Sequence, residues 1–239
     1  MAIFTRCLLV RPLLSPPHMG DSAKRALPPG FPEPKQDTER LLLERLQNSK
    51  TEEDYFRWLL FVVAFYRGIE KVESARALLQ LFLETGQNND HKAHCHLALG
   101  QIATDEQRFE TALNHFVVAL KINPTQASIT YVLHNNAGYC LNKLARYKDA
   151  ERHCRLAIGI NSGRPAAYRN LGISLEGQCE FVSAAWALVE AVKADSSDER
   201  AQHLLAKLVE GRPALRLQCP WIDKALGLSD NPPVGGYCV

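Results

Sequence analysis

The side chains best suited to bind a metal ion lie together near the middle of the chain. They are His91, His94, Cys95 and His96. Imidazole and thiolate are common zinc ligands, and residues three and four apart share one face of a helix. Zinc would also need a fourth ligand and a hydrogen-bond acceptor behind each imidazole. We therefore expect no bound metal, and we interpret the cluster as polar residues near a helix start with one core histidine.

The cysteines give a second possible chemistry. The seven are Cys7, Cys95, Cys140, Cys154, Cys179, Cys219 and Cys238. Their number is odd, and no two have the Cys-x-x-Cys spacing of redox or metal motifs. Buried free thiols in a reducing compartment are the preferred interpretation, so we expect a cytoplasmic protein. A redox role for Cys219 or Cys238 stays open, although no partner is positioned for either.

Residue patterns of enzymes are absent from the sequence. There is no phosphate-binding loop, no Gly-x-Ser-x-Gly and no His-Glu-x-x-His. Single acidic residues and histidines on helices more often face solvent than act as acid–base pairs. We therefore expect no enzymatic activity and no cofactor.

The elements that position these residues are indicated by a recurring glycine. Segments 93–126, 131–164 and 165–198 can be aligned so that Gly100, Gly138 and Gly172 coincide. Two sets of alanines then coincide as well: Ala112, Ala150 and Ala184, and Ala119, Ala157 and Ala191. A period near 34 with small residues at fixed positions is typical of stacked helical hairpins. The spacing of the three glycines therefore predicts such a stack.

This pattern resembles the tetratricopeptide repeat family, whose motif is W-x2-L-G-x2-Y, then A-x3-F, then P. The first segment matches it at His96, Leu99, Gly100, Ala103, Ala112, Phe116 and Pro124. The second has His134, Ala137, Gly138, Leu141, Ala150, Cys154 and Ser162, and the third has Tyr168, Leu171, Gly172, Leu175, Ala184, Leu188 and Ser196. The resemblance implies an all-α fold, a right-handed α-solenoid of stacked helical hairpins with a C-terminal capping helix.

The rest of the chain divides around these repeats. We expect a Pro-rich disordered leader at 1–37, N-terminal helices with a degenerate hairpin at 38–89, and the three repeats within 90–210. A capping helix at 199–210 closes the stack, and a mobile or loosely docked tail follows at 211–239. Two alternatives for the leader stay open: a targeting segment, or translation that begins at Met19.

Charge and hydropathy exclude some partners. The chain has 28 basic and 26 acidic residues, a net charge of only +2, which argues against nucleic acid. No run approaches 18 apolar residues, so we expect no membrane span.

The resemblance also implies a binding groove lined by the first helix of each hairpin. Its residues would be Arg57, Leu60, Ala64, Arg67, His94, Leu97, Gln101, Asn135, Asn136, Tyr139, Asn142, Lys143, Arg169, Asn170 and Ile173. Asn136 and Asn170 share one repeat position, at which the family commonly directs Asn toward a peptide backbone. An amide suits this role because it both donates and accepts hydrogen bonds. The basic residues suggest an acidic partner.

These expectations favour a non-enzymatic adaptor that binds a segment of a partner protein, as a monomer or small homo-oligomer. A secretion-type chaperone for an unfolded client is the second interpretation, and it needs an apolar groove. A scaffold that self-assembles through its end hairpins is the third.

Overall fold

The computed structural model describes residues 24–227. Within this range there are twelve α-helices and no strand. The helices are α1 (Asp37–Gln47), α2 (Glu52–Gly68), α3 (Val72–Thr85), α4 (Asn89–Asp105), α5 (Phe109–Lys121), α6 (Ala127–Lys143), α7 (Tyr147–Ile160), α8 (Pro165–Gly177), α9 (Phe181–Ala194), α10 (Glu199–Glu210), α11 (Ala214–Gln218) and α12 (Trp221–Ala225). The all-α prediction is confirmed.

Helices α2 to α9 form four hairpins that stack in chain order. In each hairpin the second helix packs against its own first helix, and α3, α5 and α7 also pack against the first helix of the next hairpin. The first helices α4, α6 and α8 also contact one another in turn. Because each hairpin has only two helices, it can bury both of its apolar sides only with the help of its neighbours.

The four hairpins share one turn geometry. Each turn has one residue in the left-handed region, and these are Glu70, Gln107, Ala145 and Cys179, with φ between 56° and 64°. The residue after each donates its N–H to a carbonyl five residues earlier, at 2.8–2.9 Å. This bond satisfies a carbonyl that the helix end would otherwise leave without a partner. The turn of α2 and α3 matches the other three, although the sequence motif is degraded there.

Small side chains allow the two helices of a hairpin to approach closely. A Cβ on Gly138 would lie 2.6 Å from Cys154 Sγ, and one on Gly172 would lie 2.7 Å from Leu188 Cγ. A Cβ on Gly100 would lie closer still to the ring of Phe116. In each of these hairpins the repeat glycine lies against the residue four positions after the aligned alanine, which is Ala112, Ala150 or Ala184. Residues that align in the sequence repeat therefore make the same contact in each hairpin.

The N-terminal end of the stack is closed by α1 and by residues 24–36, which form no helix. Leu27 and Phe31 pack against the first hydrophobic cluster, and the Arg25 amide donates to Gln47 O at 2.9 Å. The buried Glu39 accepts two bonds from Lys71 Nζ, at 2.6 and 2.7 Å. Burial would raise the pKa of Glu39, but these bonds hold it below its usual value. The rest of the predicted leader, 1–23, lies outside the described residues.

The C-terminal end is closed by α10, at the bounds predicted for the capping helix. Helices α11 and α12 then fold back onto α9 and bury Leu215, Cys219 and Ile222. The sequence predicted a mobile or loosely docked tail, whereas these three side chains are buried against the stack. The three residues are spaced four and three apart, which is a helical apolar face interrupted by Pro220. Residues 228–239 lie outside the described range.

Candidate functional site

The predicted groove residues lie on the four first helices, α2, α4, α6 and α8. The repeat spacing places Leu60, Leu97, Asn135 and Arg169 at one aligned position, one on each helix. We call the side of the stack that carries these aligned positions the first-helix face. It changes in chemistry from one end of the stack to the other.

The α2 end of the first-helix face is apolar. Leu60 is 37% exposed, Phe61 is also exposed, and Ala64 is exposed beside them. The Phe61 ring lies 5.6 Å from the ring of Trp58, centroid to centroid. Leu97 continues this surface on α4 and is half-buried. This part of the face therefore offers large side chains that nothing in residues 24–227 covers completely.

The two arginines of α2 differ in their surroundings. Arg67 donates to Gln101 Oε1 at 3.3 Å and pairs with Asp105 at 2.6 Å, so it joins α2 to α4. Arg57 is exposed, and its ion pair is with Asp54 of its own helix at 3.4 Å. Of the two, Arg57 is the one whose charge is directed to solvent.

His94 is half-buried, and its ring stacks on Phe56 with the centroids 5.5 Å apart. Burial lowers the pKa of His94, and the neighbouring His91 lowers it further, against a smaller opposing effect of Asp90. The imidazole is therefore neutral near pH 7. Its Nδ1 is buried without a hydrogen-bond partner in the described part of the chain.

Three of the predicted groove asparagines are used inside the protein. Asn170 is buried, and its amide donates to Asn135 Oδ1 at 3.0 Å and to Asn135 O at 3.3 Å. Asn142 in turn donates to Asn170 O at 2.8 Å and accepts from Ser174 Oγ at 2.9 Å. This network joins α6 to α8. Asn170 is thus committed to its own fold, unlike the peptide-facing amide that the resemblance implied.

Asn136 is the exception among these asparagines. It is half-buried, and its Oδ1 accepts a bond from Asn135 at 3.2 Å. Its own NH2 group makes no hydrogen bond to residues 24–227. Asn136 and Asn170 therefore share a repeat position but have different surroundings.

Two cations lie at the C-terminal part of the face. Lys143 is exposed, has no carboxylate within ion-pair distance in residues 24–227, and lies 5.5 Å from the ring centre of Tyr139. Arg169 instead pairs with Asp198, which caps α10. Burial lowers the pKa of Arg169. Ile173, half-buried, completes the predicted set.

The histidine and cysteine cluster of α4 is dispersed in the structure. His91 contacts Glu52 Oε1 at 3.2 Å through Nδ1 and Glu53 Oε2 at 3.0 Å through Nε2. Cys95 is fully buried, and burial raises the pKa of its thiol. Within residues 24–227, no three His, Cys, Asp or Glu side chains are arranged to hold a metal ion.

His96 belongs to a feature that the sequence analysis missed. Its Nδ1 lies 3.2 Å from Nδ1 of His115, and in the next hairpin Nδ1 of His134 lies 3.0 Å from Nδ1 of His153. Both pairs join the first helix of a hairpin to its second. The signal was present in the repeat alignment, because His134 aligns with His96 and His153 aligns with His115.

Searches for relatives give partial matches. No protein-family model matches the chain. The chain is 36% identical over 97 residues to an Arabidopsis thaliana protein described as an uncharacterized TPR repeat-containing protein. This match covers 37% of the chain and 12% of that protein. A protein O-mannosyl-transferase of Caenorhabditis elegans is 24% identical over 111 residues, 46% of the chain and 16% of the transferase. The chain therefore spans only a small part of these curated relatives.

Solved structures match a larger share of the chain. A MamA double mutant superposes with a TM-score of 0.59 at 17% identity, covering 75% of the chain and 96% of MamA. YrrB, a TPR protein with an unusual peptide-binding site, superposes with a TM-score of 0.53 at 16% identity, covering 71% of the chain and 86% of YrrB.

Among the described residues, no helix is long and apolar enough to cross a membrane. The four hairpins share one turn geometry, and three of them bring the repeat glycine against its aligned partner on the second helix. The structural neighbour YrrB is described as a TPR protein. In its fold, this chain is a tetratricopeptide repeat solenoid.

Proposed function

We propose that the chain is a non-enzymatic adaptor that binds a segment of a partner protein along its first-helix face. The observation that carries this proposal is the pair of chemistries on that face: exposed Leu60, Phe61 and Ala64 at one end, and Lys143 beside Tyr139 farther along. Large exposed apolar side chains on a soluble fold commonly mark interaction sites. Extended or helical segments bind such faces through a few anchoring side chains.

The arrangement also suggests the chemistry of the ligand. An apolar side chain of the ligand would cover Leu60 and Phe61, and an acidic one would pair with Lys143. The NH2 group of Asn136 supplies a donor for a ligand carbonyl. This is a smaller polar contribution than the sequence implied, because Arg67, Arg169 and Asn170 are bonded internally.

The sequence also leaves two other functions open. The apolar α2 surface favours a chaperone for an unfolded client more than the sequence did, because such a client binds through apolar side chains. It covers only one end of the face, however, so we keep the adaptor as the first proposal. A self-assembling scaffold has no comparable supporting contact.

The proposed location is the cytoplasm. Cys140 and Cys154 are buried free thiols, and burial raises their pKa values to about 11 and about 12. Such thiols pack as small apolar side chains and need no oxidising compartment.

The test begins with peptides selected on the full chain from a displayed random library. Their affinities are then measured calorimetrically for wild type, Lys143→Glu and Lys121→Glu. Both lysines are exposed, but Lys121 lies at the end of the second helix α5. We expect one class of acidic peptides to lose about tenfold in affinity with Lys143→Glu, roughly 1.4 kcal/mol, and to bind Lys121→Glu normally. If no selected peptide distinguishes the two variants, the proposal is wrong.

A further inference from the structure

The second helices α7 and α9 carry an unusual exposed surface on the other side of the hairpins. We define it as the second-helix patch; its residues are Lys148, Arg152, Arg155, Leu156, Val182 and Trp186. Val182 aligns with Lys148 in the repeat, and Trp186 aligns with Arg152, so the two pairs occupy the same positions on adjacent hairpins. Cys154 of α7 and Leu188 of α9 lie in one buried cluster. Helices α7 and α9 both pack against α8, so the two sets of exposed side chains lie on second helices that flank one first helix.

The patch exposes large apolar side chains. Leu156 is 47% exposed, and Trp186 is 48% exposed. Val182, one helical turn before Trp186, is exposed to a similar degree. The Trp186 ring contacts Tyr168 edge to face, with the centroids 6.3 Å apart, which restricts its orientation. A tryptophan held in place with half of its surface in water can bind a partner at little cost in side-chain entropy.

The patch is also positively charged. Lys148 and Arg152 have no carboxylate within ion-pair distance in residues 24–227. Arg155 pairs with Glu151 at 2.9 Å, and the same carboxylate accepts a bond from Gln178 at 2.7 Å. The carboxylate of Glu151, which lines the patch, is therefore already engaged twice. A depression of about 400 Å³ runs between these α7 side chains.

We propose that the second-helix patch is a docking site for an acidic, partly apolar segment of a protein partner. An apolar side chain of the segment would cover Trp186 and Leu156, and its carboxylates would pair with Arg152 and Lys148. Trp and Arg are the residue types that most often dominate binding energy at protein interfaces. Charge complementarity adds orientation and speeds association.

Two other occupants fit the patch less well. Lipid-binding clusters generally hold four to eight cations, and this patch has three, one of them paired. A two-fold contact between copies centred on the patch would place Arg152 near its own symmetry mate, which like charges oppose. The patch lies on helices other than those of the first-helix face, so this proposal does not depend on the proposed function.

The test uses short displayed peptides, selected on the full chain, labelled with fluorescein and measured by anisotropy. We expect a class rich in Asp, Glu and large apolar residues. Its members should lose at least tenfold in affinity with Arg152→Glu and with Trp186→Ala, and they should bind Leu60→Asp as they bind wild type. Raised salt should weaken the binding of these peptides.

Two matched variants serve as controls. Asn114→Glu makes the chain more acidic at the position of α5 that aligns with Arg152, and Trp221→Ala removes an exposed tryptophan outside the patch. Neither should change the affinity of this class. Thermal unfolding by circular dichroism establishes that each variant is folded, and Lys148→Glu, at an exposed site of the patch, replaces Arg152→Glu or Trp186→Ala if either is not.

Three results would overturn the proposal. The first is that every selected peptide binds Arg152→Glu and Trp186→Ala as tightly as wild type. The second is that vesicles containing phosphatidylserine bind the chain in a patch-dependent way while no acidic peptide does. The third is concentration-dependent self-association in sedimentation velocity that both patch variants abolish.

Discussion

At the scale of single residues, the two histidine pairs are the least expected feature. A neutral pair is stable because one Nδ1 donates its hydrogen and the other accepts it. Burial, followed by the smaller effect of the partner imidazole, lowers the pKa of His96 and of His134 to about 4. Burial also lowers the pKa values of His115 and His153. Arg76, Arg108 and Arg152 add to these shifts, and Asp149 opposes them only at His153.

Because the two histidine pairs are neutral in the folded protein, we predict that acid destabilises the fold. Unfolded histidines titrate near pH 6.5, so between about pH 6.5 and pH 4 the unfolded chain binds more protons than the folded one. The stabilising effect of the neutral pairs is complete above this window and is lost as the pH falls through it. Urea unfolding midpoints measured from pH 7 to pH 4 should decrease steeply.

The fourth hairpin supplies a natural replacement for this test, because Tyr168 and Ala187 occupy the positions of His134 and His153. A variant with Tyr and Ala in place of both pairs should show a shallower decrease, whereas His203→Ala, at an exposed site, should keep the wild-type slope. An unchanged slope in the four-residue variant would show that the pairs do not cause the acid sensitivity.

Asn136 and Asn170 give a second prediction at this scale. Asn170→Ala removes two internal bonds at a buried site and should destabilise the protein by about 1–3 kcal/mol. Asn136→Ala should change stability by no more than about 0.5 kcal/mol. Chemical denaturation of the two variants measures the difference. Equal effects would mean that the α6–α8 network is not what holds Asn170.

At the scale of the helical hairpin, each turn holds a non-glycine residue in the left-handed backbone region. This conformation has a free-energy cost that glycine would remove. Ala145 has φ 56°, a conformation that costs an L-residue roughly 1 kcal/mol and costs glycine little. Ala145→Gly should therefore stabilise the chain by about 0.5–1 kcal/mol in urea unfolding. Lys148→Gly, three residues later within α7, should instead destabilise it by about 1 kcal/mol. Destabilisation by Ala145→Gly would contradict the shared turn geometry.

The helix contact within a hairpin is the second element to test. A side chain on Gly138 must displace Cys154, so Gly138→Leu should overpack the contact and cost on the order of 1–3 kcal/mol. Gly159 has no atom near its would-be Cβ, so Gly159→Ala should stabilise α7 by about 0.5–1 kcal/mol. Thermal unfolding of both variants gives the comparison. A neutral Gly138→Leu would mean that the helices are less closely packed than described.

The hairpins were predictable from sequence because their determinants are local and repeated. Gly100, Gly138 and Gly172 recur with fixed neighbours. The start of α2 also carries a capping residue, since Thr51 Oγ1 accepts from the Asp54 amide at 3.1 Å. The packing of α11 was missed because Pro220 interrupts its apolar spacing. Which groove residues are available to a ligand could not be predicted, because Arg169 and Asn170 find partners from other helices, far away in the sequence.

At the scale of the whole molecule, polar contacts cross the junctions between successive hairpins. Arg76 pairs with Glu106, and the Thr125 amide donates to Asp90 at 2.6 Å. With Arg67 and Arg169 also paired across helices, most charge near the first-helix face is neutralised internally. Stability in such a stack is approximately the sum of hairpin and junction contributions. What remains for a partner on this face is the apolar α2 surface, Arg57, Lys143 and the NH2 group of Asn136.

The central claim is that this face binds a partner segment, and a pair of equally exposed apolar residues tests it most directly. Leu60 of α2 is 37% exposed, and Val118 of α5, on a second helix, is 40% exposed. Calorimetry should be performed with the acidic peptides selected on wild type and sensitive to Lys143→Glu. We predict that Leu60→Asp weakens their binding at least tenfold and that Val118→Asp leaves it unchanged. Equal affinities for wild type and Leu60→Asp, or a loss confined to Val118→Asp, would contradict the account.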